Sequence, residues 1–378
     1  MLDPLPTQAL ALAQGREADA NAIADVAAQT SPEAAAWAFT QWRLRERAKR
    51  KFARAEQMLF SAEALEQATH EQVAAYHATL FPIGALIGDL CTGIGGDAIA
   101  LAWRGPVLGY EPDGARAALA RHNLAAHGLG GEVREEDCLG ADWSFDFAFA
   151  DPARRVEGRR TLRMDEFQPD PARLAERMKS LRLGAIKLSP LLKDEDLMAL
   201  GGRVEFLSHE GECKEALVLL GADSGEPGYE AVHIESGERL AGSPTPRRMT
   251  LTDEPETWFF EADPAVIRAH ALPALAERYD LFPLGRSNGY LTGRSNVESS
   301  WLKAYRIVGF APTDPRQAGR ALTELNSATP AVKTRSVNVD PFEFGRKLRL
   351  KGRRRFALAY FPSTQGRLMG LILDASTL

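Results

Sequence analysis

The sequence predicts an α/β protein with a mostly parallel sheet, preceded by a helical region and followed by a smaller α+β region. Residues 1–80 are rich in Ala, Glu, Arg and Gln, and their apolar residues recur three and four positions apart, as in helices. From residue 85, short apolar runs alternate with helical segments, which indicates a parallel sheet covered by helices on both faces. From residue 301, strands and helices alternate again before two consecutive final strands.

The helical region is expected to cover residues 1–80. Ser31-Pro32-Glu33 is a good helix start, because a Ser side chain caps the first turn and Pro is tolerated there.

Seven apolar runs predict the strands of the sheet: ALIGDL, PVLGYE, GEVREED, FDFAFADP, GAIKLSP, RVEFLSH and KEALVLL. Only SHEGEC connects the last two, which leaves no room for a crossover helix, so we expect an antiparallel pair there. Residues 222–245 are rich in Gly, Pro and Ser and mark a boundary. The predicted domains are residues 1–80, 81–222, a connecting region 223–300, and 301–378.

Composition excludes several classes of protein. No segment approaches the roughly 20 uncharged apolar residues of a membrane span, and the N-terminus does not resemble a signal peptide, so we expect a cytoplasmic protein without a membrane partner. Cys91, Cys138 and Cys213 are far apart, and no CxxC or Cys/His cluster is present. We therefore expect neither disulfides nor a metal site.

The run Asp89-Leu90-Cys91-Thr92-Gly93-Ile94-Gly95-Gly96-Asp97 follows the first strand and precedes a helix. Glycines at such a turn allow close backbone approach to a ligand. Glu111 ends the second strand 22 residues after Asp89, where an acid can accept hydrogen bonds from ribose hydroxyls. These two motifs alone fit either NAD or S-adenosylmethionine (SAM).

Two further strand ends favour SAM over NAD. Glu136-Asp137-Cys138 follows the third strand, where an acid can bind the adenine amino group, and the fourth strand ends in Asp151-Pro152. NAD binding does not predict Asp151-Pro152-Ala153-Arg154. We therefore expect SAM as the cofactor.

Together DLCTGIGGD, GYEPD, EEDCL and FADPARR resemble the successive motifs of class I SAM-dependent methyltransferases. With LFSAEALEQAT and VKTRSVNVDPFEFGRKLRLKG, they resemble more narrowly the bacterial and archaeal members that carry a C-terminal THUMP-like domain, which are similar to RNA cap guanine-N2 and other RNA amino-methyltransferases. The resemblance implies a Rossmann-like seven-strand sheet, a THUMP-like domain over 301–378, and a SAM site formed by Asp89, Cys91, Thr92, Gly93, Gly95, Glu111, Pro112, Asp137 and Cys138.

The fourth motif departs from that of amino-methyltransferases, in which Asp/Asn-Pro-Pro precedes an aromatic residue. The Asp151 carboxylate and the Pro152 carbonyl remain as acceptors for a target amine, but Ala153 and Arg154 replace the second proline and the aromatic. Arg154 is either a group that stacks on a base or binds phosphate, or a plain surface charge. Asp151, Pro152 and Arg154 are the candidate catalytic residues.

Lys187 and Ser189 end the fifth strand on the same sheet edge, so they are candidates for the acceptor pocket; a capped turn is the alternative. A cysteine nucleophile at Cys91 or Cys138 would need an activating environment, and the sequence carries no Pro-Cys signature for one.

Basic charge is concentrated in a protein whose net charge is −5. Residues 43–54 and 346–355 each hold seven Lys or Arg, which indicates either contact with phosphates or solvated surface. Lys333, Arg335, Arg353 and Arg354 are the candidate RNA-binding residues of the C-terminal region.

The sequence thus predicts a SAM-dependent N-methyltransferase that modifies an exocyclic amino group of an RNA base, with no metal. Two alternatives stay open: a methyltransferase of a protein or small-molecule amine, and a catalytically silent RNA-binding protein that retains the fold. The RNA, the nucleotide and the oligomeric state are not specified by the sequence.

Overall fold

The computed structural model describes residues 4–153, 155–156 and 159–376. The chain divides into two compact units, residues 1–202 with 217–226 and residues 203–216 with 227–378.

The first unit begins with the predicted helical region. Its helices are α1 (Pro4–Leu12), α2 (Ala20–Gln29), α3 (Pro32–Ala48), α4 (Ala62–Gln67) and α5 (Glu71–Thr79). Ser31 caps α3 as the sequence predicts, because its hydroxyl accepts a hydrogen bond from the Ala34 N–H at 3.1 Å. Small side chains let α1, α2 and α3 pack closely around buried Ala9, Val26 and Ala35.

The rest of the first unit alternates strands and helices. The strands are β1 (Ile87–Asp89), β2 (Val107–Tyr110), β3 (Glu132–Arg134), β4 (Phe147–Ala150), β5 (Arg155–Val156), β6 (Arg159–Arg160) and β7 (Leu183–Leu188). The helices are α6 (Gly96–Ala102), α7 (Gly114–Ala126), α8 (Pro171–Met178) and α9 (Asp194–Ala199). β1 pairs in parallel with β2 and β4, and the parallel pairing continues to β3 and β7.

Four more strands follow: β8 (Arg203–His209), β9 (Glu212–Leu220), β10 (Tyr229–His233) and β11 (Arg239–Ala241). The strand order is β11-β10-β8-β9-β7-β4-β1-β2-β3. Only Glu210 and Gly211 connect β8 to its neighbour β9, and both have positive φ. The seven strands predicted from the apolar runs are all present, as β1, β2, β3, β4, β7, β8 and β9. β10 and β11 are two further strands that the sequence pattern did not predict, since their Gly- and Pro-rich surroundings indicated only a boundary.

The second unit contains another sheet, of mixed direction. Its strands are β12 (Trp258–Ala262), β13 (Phe282–Pro283), β14 (Tyr290–Gly293), β15 (Leu302–Phe310), β16 (Ala331–Thr334), β17 (Phe356–Pro362) and β18 (Leu368–Asp374), in the order β13-β14-β12-β15-β18-β17-β16. Its helices are α10 (Pro264–Arg268), α11 (Leu272–Tyr279), α12 (Pro315–Glu324) and α13 (Pro341–Lys347).

The strand-helix-strand-helix-strand-strand order predicted after residue 301 is present as β15, α12, β16, α13, β17 and β18. β12 and β14 pair on the other side of β15, so the terminal segment shares its sheet with part of the connecting region. Among the residues described, no helix is both long and apolar enough to cross a bilayer.

Candidate active site

The predicted glycine loop connects β1 to α6. Gly93 and Gly95 have φ angles of 57° and 87°, in the left-handed region that side chains with a Cβ rarely adopt. The buried Thr92 holds the loop in place, because its N–H donates to the Tyr110 carbonyl at 3.0 Å and its hydroxyl to the Asp89 carbonyl at 3.1 Å. The loop is therefore a preformed turn at the carboxyl end of β1.

Asp89 is a buried carboxylate that is incompletely satisfied. The residue is 1% exposed, and within the described part of the chain Oδ1 accepts only a long 3.4 Å bond from the Cys91 N–H. Oδ2 has no hydrogen-bond partner among the described residues. Burial, together with the charges of Asp97, Asp151 and Glu111, raises the pKa of Asp89 well above its usual value. A ligand with a positive charge or an N–H donor would give Oδ2 a hydrogen-bond partner and stabilise the ionised carboxylate.

Glu111 follows β2 and links the first two predicted motifs. Its Oε2 accepts the Gly93 N–H and its Oε1 the Asp113 N–H, both at 3.0 Å. Arg116 forms an ion pair with Oε1 at 2.9 Å. The neighbouring Pro112 is exposed. Glu111 therefore fixes the shape of the glycine loop, in addition to its predicted role as a ribose ligand.

Asp137 and Cys138 lie in the turn after β3. Asp137 is exposed, and its Oδ1 accepts the Leu139 N–H at 2.9 Å in a local turn. The Cys138 carbonyl accepts hydrogen bonds from Trp143 at 2.8 Å and Arg177 at 3.2 Å. Trp143 and Arg177 thus hold the backbone of the turn, while the Asp137 carboxylate remains exposed to solvent.

The two thiols near the loops are not activated. Burial raises the pKa of Cys91 well above its usual value, and burial with the Asp137 charge raises the pKa of Cys138 to about 12. Both groups are therefore thiols at neutral pH, whereas a cysteine nucleophile reacts as the thiolate.

Asp151 follows β4 and forms an ion pair with Lys187 on the adjacent strand β7. Asp151 Oδ2 lies 2.5 Å from Lys187 Nζ, and their side chains are 24% and 11% exposed. The Leu90 N–H donates to the Phe149 carbonyl at 2.8 Å, so the end of β4 is directly beside the glycine loop. Asp151 and Lys187 were both predicted to lie at this edge, but their pairing was not.

Three polar residues that were not among the predicted site residues also lie at this edge. Thr69, between α4 and α5, accepts a hydrogen bond from Lys187 Nζ at 2.8 Å and donates to Asp97 Oδ2 at 2.7 Å. His77 is fully buried on α5, with Nδ1 2.8 Å from Asp97 Oδ1. Thr69 lies within LFSAEALEQAT and Asp97 ends the glycine run, so their positions were available in the sequence, but their contact was not.

Asn123 was missed as well. This fully buried α7 side chain accepts the Leu59 N–H at 2.8 Å and donates to the carbonyls of Leu59 at 3.1 Å and Ile94 at 2.9 Å. Ile94 belongs to the glycine loop. Asn123 therefore attaches the segment after α3 to the glycine loop.

The other residues predicted at this edge have simpler surroundings. Pro152 is buried, and Arg154 lies outside the described residues. The Ser189 hydroxyl accepts the Leu191 N–H at 3.3 Å, which matches the capped turn considered for it.

In the second unit, all seven basic residues of 346–355 are exposed. The backbone of this segment is nevertheless held, since the N–H groups of Gly352, Arg353 and Arg354 donate to carbonyls at residues 326–327 at 2.9–3.0 Å. Arg354 also lies 3.8 Å from Asp374 and over the ring of Phe356. We call residues 346–355 the basic ridge.

Lys333 and Arg335 have internal partners. Lys333 Nζ lies 2.7 Å from Glu261 Oε2, and Arg335 lies 3.6 Å from Glu261 Oε1. Their cationic groups also approach the rings of Tyr305 and Tyr290. Their predicted contact with RNA would have to compete with these interactions.

The first basic cluster, residues 43–54, is partly structural. The buried Arg45 donates to the Met58 carbonyl at 2.9 Å, and Lys51 donates to three carbonyls at the end of α4. Lys49 pairs with Glu46 and Glu56. This cluster therefore offers fewer free cations than its sequence indicates.

The site suits a cationic cofactor. Asp89 provides an incompletely satisfied buried carboxylate, and Asp97, Glu111 and Asp151 add negative charge around it. SAM carries a sulfonium and an ammonium, both of which such a site attracts. Within the described part of the chain, no group of three or more His, Cys, Asp or Glu is arranged to bind a metal. The fold is that of class I methyltransferases, and the site suits SAM.

Comparisons with known proteins also indicate a SAM-dependent methyltransferase. The chain is 29% identical over 316 residues to an uncharacterized SAM-dependent methyltransferase of Mycobacterium tuberculosis, found in two strains, and the match covers 80% of this chain and 84% of that protein. A crystal structure described as a methyltransferase, from Porphyromonas gingivalis W83, superposes with a TM-score of 0.78 at 20% identity, covering 99% of this chain and 95% of the other. This likeness supports the fold. No protein-family model matches the chain.

Proposed function

We propose that this methyltransferase transfers a methyl group from SAM to an exocyclic amino nitrogen of an RNA base. The observation that carries the proposal is the Asp151 carboxylate, at the end of β4 and beside the glycine loop. A carboxylate accepts hydrogen bonds from an amine and stabilises the positive charge that develops on nitrogen during attack.

The residues at this edge have separate roles in the proposal. Asp151 and the Pro152 carbonyl each accept a hydrogen bond from one N–H of the target amine. These two bonds aim the nitrogen lone pair at the methyl donor. Such alignment supplies much of the rate enhancement in a displacement reaction. SAM supplies an already activated methyl group on its sulfonium. The proton left on the product nitrogen passes to Asp151 or to water.

The properties of the thiols favour an amine over a carbon acceptor activated by cysteine. Carbon methylation through a covalent cysteine adduct requires a thiolate. The pKa values of Cys91 and Cys138 are raised by burial, so both remain protonated at neutral pH. An exocyclic amine needs no such nucleophile.

The basic ridge supports RNA as the carrier of the amine. Its seven cations are exposed on a segment whose backbone is tied to residues 326–327. Phe342, which is 73% exposed at the start of α13, adds a ring on which a base can stack. A local ridge of this kind binds phosphates in a protein whose net charge is −5. We include in the proposal that residues 301–378 form a THUMP-like domain that contacts RNA.

Transfer of labelled methyl to total RNA from a strain lacking the gene tests the proposal, followed by mass spectrometry of the nucleosides. We expect one N-methylated nucleoside to gain label with the wild type and none with Asp151→Asn. Label in the protein or small-molecule fraction instead would contradict RNA as the acceptor. SAM binding without transfer to any fraction would contradict the enzyme activity itself.

A further inference from the structure

Lys187 lies at the centre of a continuous chain of polar contacts. Its ammonium bridges Asp151 and Thr69, and Thr69 leads through Asp97 to His77. We propose that Lys187 is a positioning residue for Asp151, and that Thr69, Asp97 and His77 hold Lys187 in place. This inference rests on the proposed function for the role of Asp151.

The hydrogen-bond directions along this chain follow from chemistry. An ammonium only donates and a carboxylate only accepts. The Thr69 hydroxyl must therefore accept from Lys187 at 2.8 Å and give its single proton to Asp97 at 2.7 Å. A serine can do both and a valine can do neither, so the two substitutions separate hydrogen bonding from packing.

Lys187 needs such an anchor. A free lysine side chain has high rotamer entropy, which opposes any single geometry. Here the side chain is only 11% exposed, and two partners fix its end. The Lys187 ammonium holds the Asp151 carboxylate, and Thr69 fixes the position of that ammonium.

Asp97 and His77 form the rigid end of the chain. Burial by itself would raise the pKa of Asp97, but the hydrogen bond from His77 and the charge of Lys187 lower it below its usual value. His77 is fully buried and stacks on Phe149 with ring centroids 4.7 Å apart. Phe149 belongs to β4, which Asp151 follows. The chain of contacts therefore begins at the residue that follows β4 and ends on β4 itself.

The arrangement gives the helical region a place in the active site. Thr69 precedes α5 and His77 lies on it, so both belong to the helical region. Asp151 follows β4 and Lys187 lies on β7, so both belong to the sheet. Together Asn123, Leu59 and Ile94 connect the same region to the glycine loop. We infer that this region orients the acceptor carboxylate.

Loss of Lys187 should change both rate and pH dependence. Among the residues that the structure describes, this edge carries the carboxylates of Asp89, Asp97 and Glu111 and the basic groups of Lys187 and His77. Without the ammonium, Asp151 faces like charges and binds a proton more readily. A protonated Asp151 is a poorer acceptor for an amine, so activity should decline at a higher pH than in the wild type.

Kinetics of paired variants test the inference, with total RNA from the deletion strain as acceptor. We expect Lys187→Met to lower kcat on the order of 100-fold, as for a misplaced catalytic group, and to move the acid limb of the profile to higher pH. Lys187→Arg should recover part of the loss. Thr69→Val should lower kcat about 10-fold, and Thr69→Ser should recover most of that. S-adenosylhomocysteine affinity should stay within about threefold in all four.

Thr79→Val is the matched control, because Thr79 is exposed on α5 and its hydroxyl donates to the Tyr76 carbonyl of the same helix. Equal kcat for Thr69→Val, Thr69→Ser and Thr79→Val would overturn the inference. An unshifted pH profile in Lys187→Met would also overturn it.

Lysine-selective ¹⁵N NMR separates this inference from the proposed function, because it needs no acceptor. A held ammonium gives a slowly exchanging signal, which Lys187→Arg assigns by removing it. We expect Asp151→Asn and Thr69→Val to shift that signal and Thr79→Val to leave it unchanged. If the wild type methylates no RNA, the proposed function fails while this signal still reports on the contacts. Absence of the signal in the wild type would overturn the inference alone.

Discussion

Replacing Asp89 by Asn tests whether the buried carboxylate of the glycine loop binds the cationic cofactor. The substitution keeps the shape of the side chain and removes its charge. In the ligand-free protein Oδ2 has no hydrogen-bond partner among the described residues, and burial raises the pKa of Asp89. We therefore expect Asp89→Asn to weaken SAM binding and to stabilise the ligand-free protein.

The magnitude follows from the missing partner. A hydrogen bond to a charged group contributes about 1.5–3 kcal/mol when one partner is removed. At about 1.4 kcal/mol per factor of ten, the Kd for SAM should rise about 10- to 150-fold. S-adenosylhomocysteine lacks the sulfonium charge but keeps the ammonium. Equal weakening of both ligands would assign Asp89 to the ammonium, and selective weakening of SAM would assign it to the sulfonium.

The pH dependence has a definite sign. A carboxyl with a raised pKa holds its proton more tightly in the folded than in the unfolded state. Its ionisation therefore costs stability progressively as pH rises from the ordinary value of 3.8 to the higher folded pKa. The variant should match the wild type below this window, and its advantage in free energy of unfolding should reach its full size above it.

Calorimetric titration near neutral pH measures the affinities, and denaturant unfolding across a pH series measures the stabilities. Asp113→Asn is the matched control, because Asp113 is an exposed carboxyl that caps α7 close to the same loop, and Asn is an equally good cap. The reasoning is refuted if Asp89→Asn binds SAM within twofold of the wild type, or if Asp113→Asn weakens binding equally.

Four further predictions concern separate parts of the chain. Asp151→Ala should abolish methyl transfer with SAM affinity nearly intact, as measured by label transfer and calorimetry; loss of SAM binding would instead assign Asp151 to the cofactor. Cys91→Ser should keep its turnover, because its raised pKa excludes a thiolate nucleophile; complete inactivation would contradict this. Asn123→Ala should destabilise the fold by about 1–3 kcal/mol in denaturant unfolding, since it leaves a buried N–H unsatisfied; an unchanged midpoint would count against it. If about four ridge cations meet phosphates, log affinity for single-stranded RNA should fall with log salt at a slope near −3, at roughly −0.7 per contact, and alanines at 353–355 should flatten it without changing SAM affinity; an unchanged slope would show that the ridge only solvates a loop.

Local pattern was sufficient for the sheet. Short apolar runs with glycine or acid at their ends predicted seven strands, and the short connection of β8 to β9 predicted their adjacency. β10 and β11 were missed because strand pairing outweighs the turn propensity of Gly- and Pro-rich surroundings once an edge strand offers free backbone groups.

Basic side chains show the limit of composition. Residues 43–54 and 346–355 have the same number of Lys and Arg. In the first cluster Arg45 and Lys51 donate to carbonyls of their own unit, whereas all seven cations of the second cluster are exposed. Charge counted along the chain does not reveal which cations have internal partners.

By itself the sequence determined the fold class, the SAM cofactor and the sheet edge at which Asp89, Glu111 and Asp151 lie. These follow from strand order and strand ends, which are local properties of the chain. The tertiary structure alone decided that Lys187 pairs with Asp151, and that Thr69 and His77 reach the same edge. Thr69 and Lys187 are 118 positions apart, and their hydrogen bond exists only because the helical region packs against the sheet. No periodicity or spacing encodes a contact between residues so distant, since side-chain packing and burial select it.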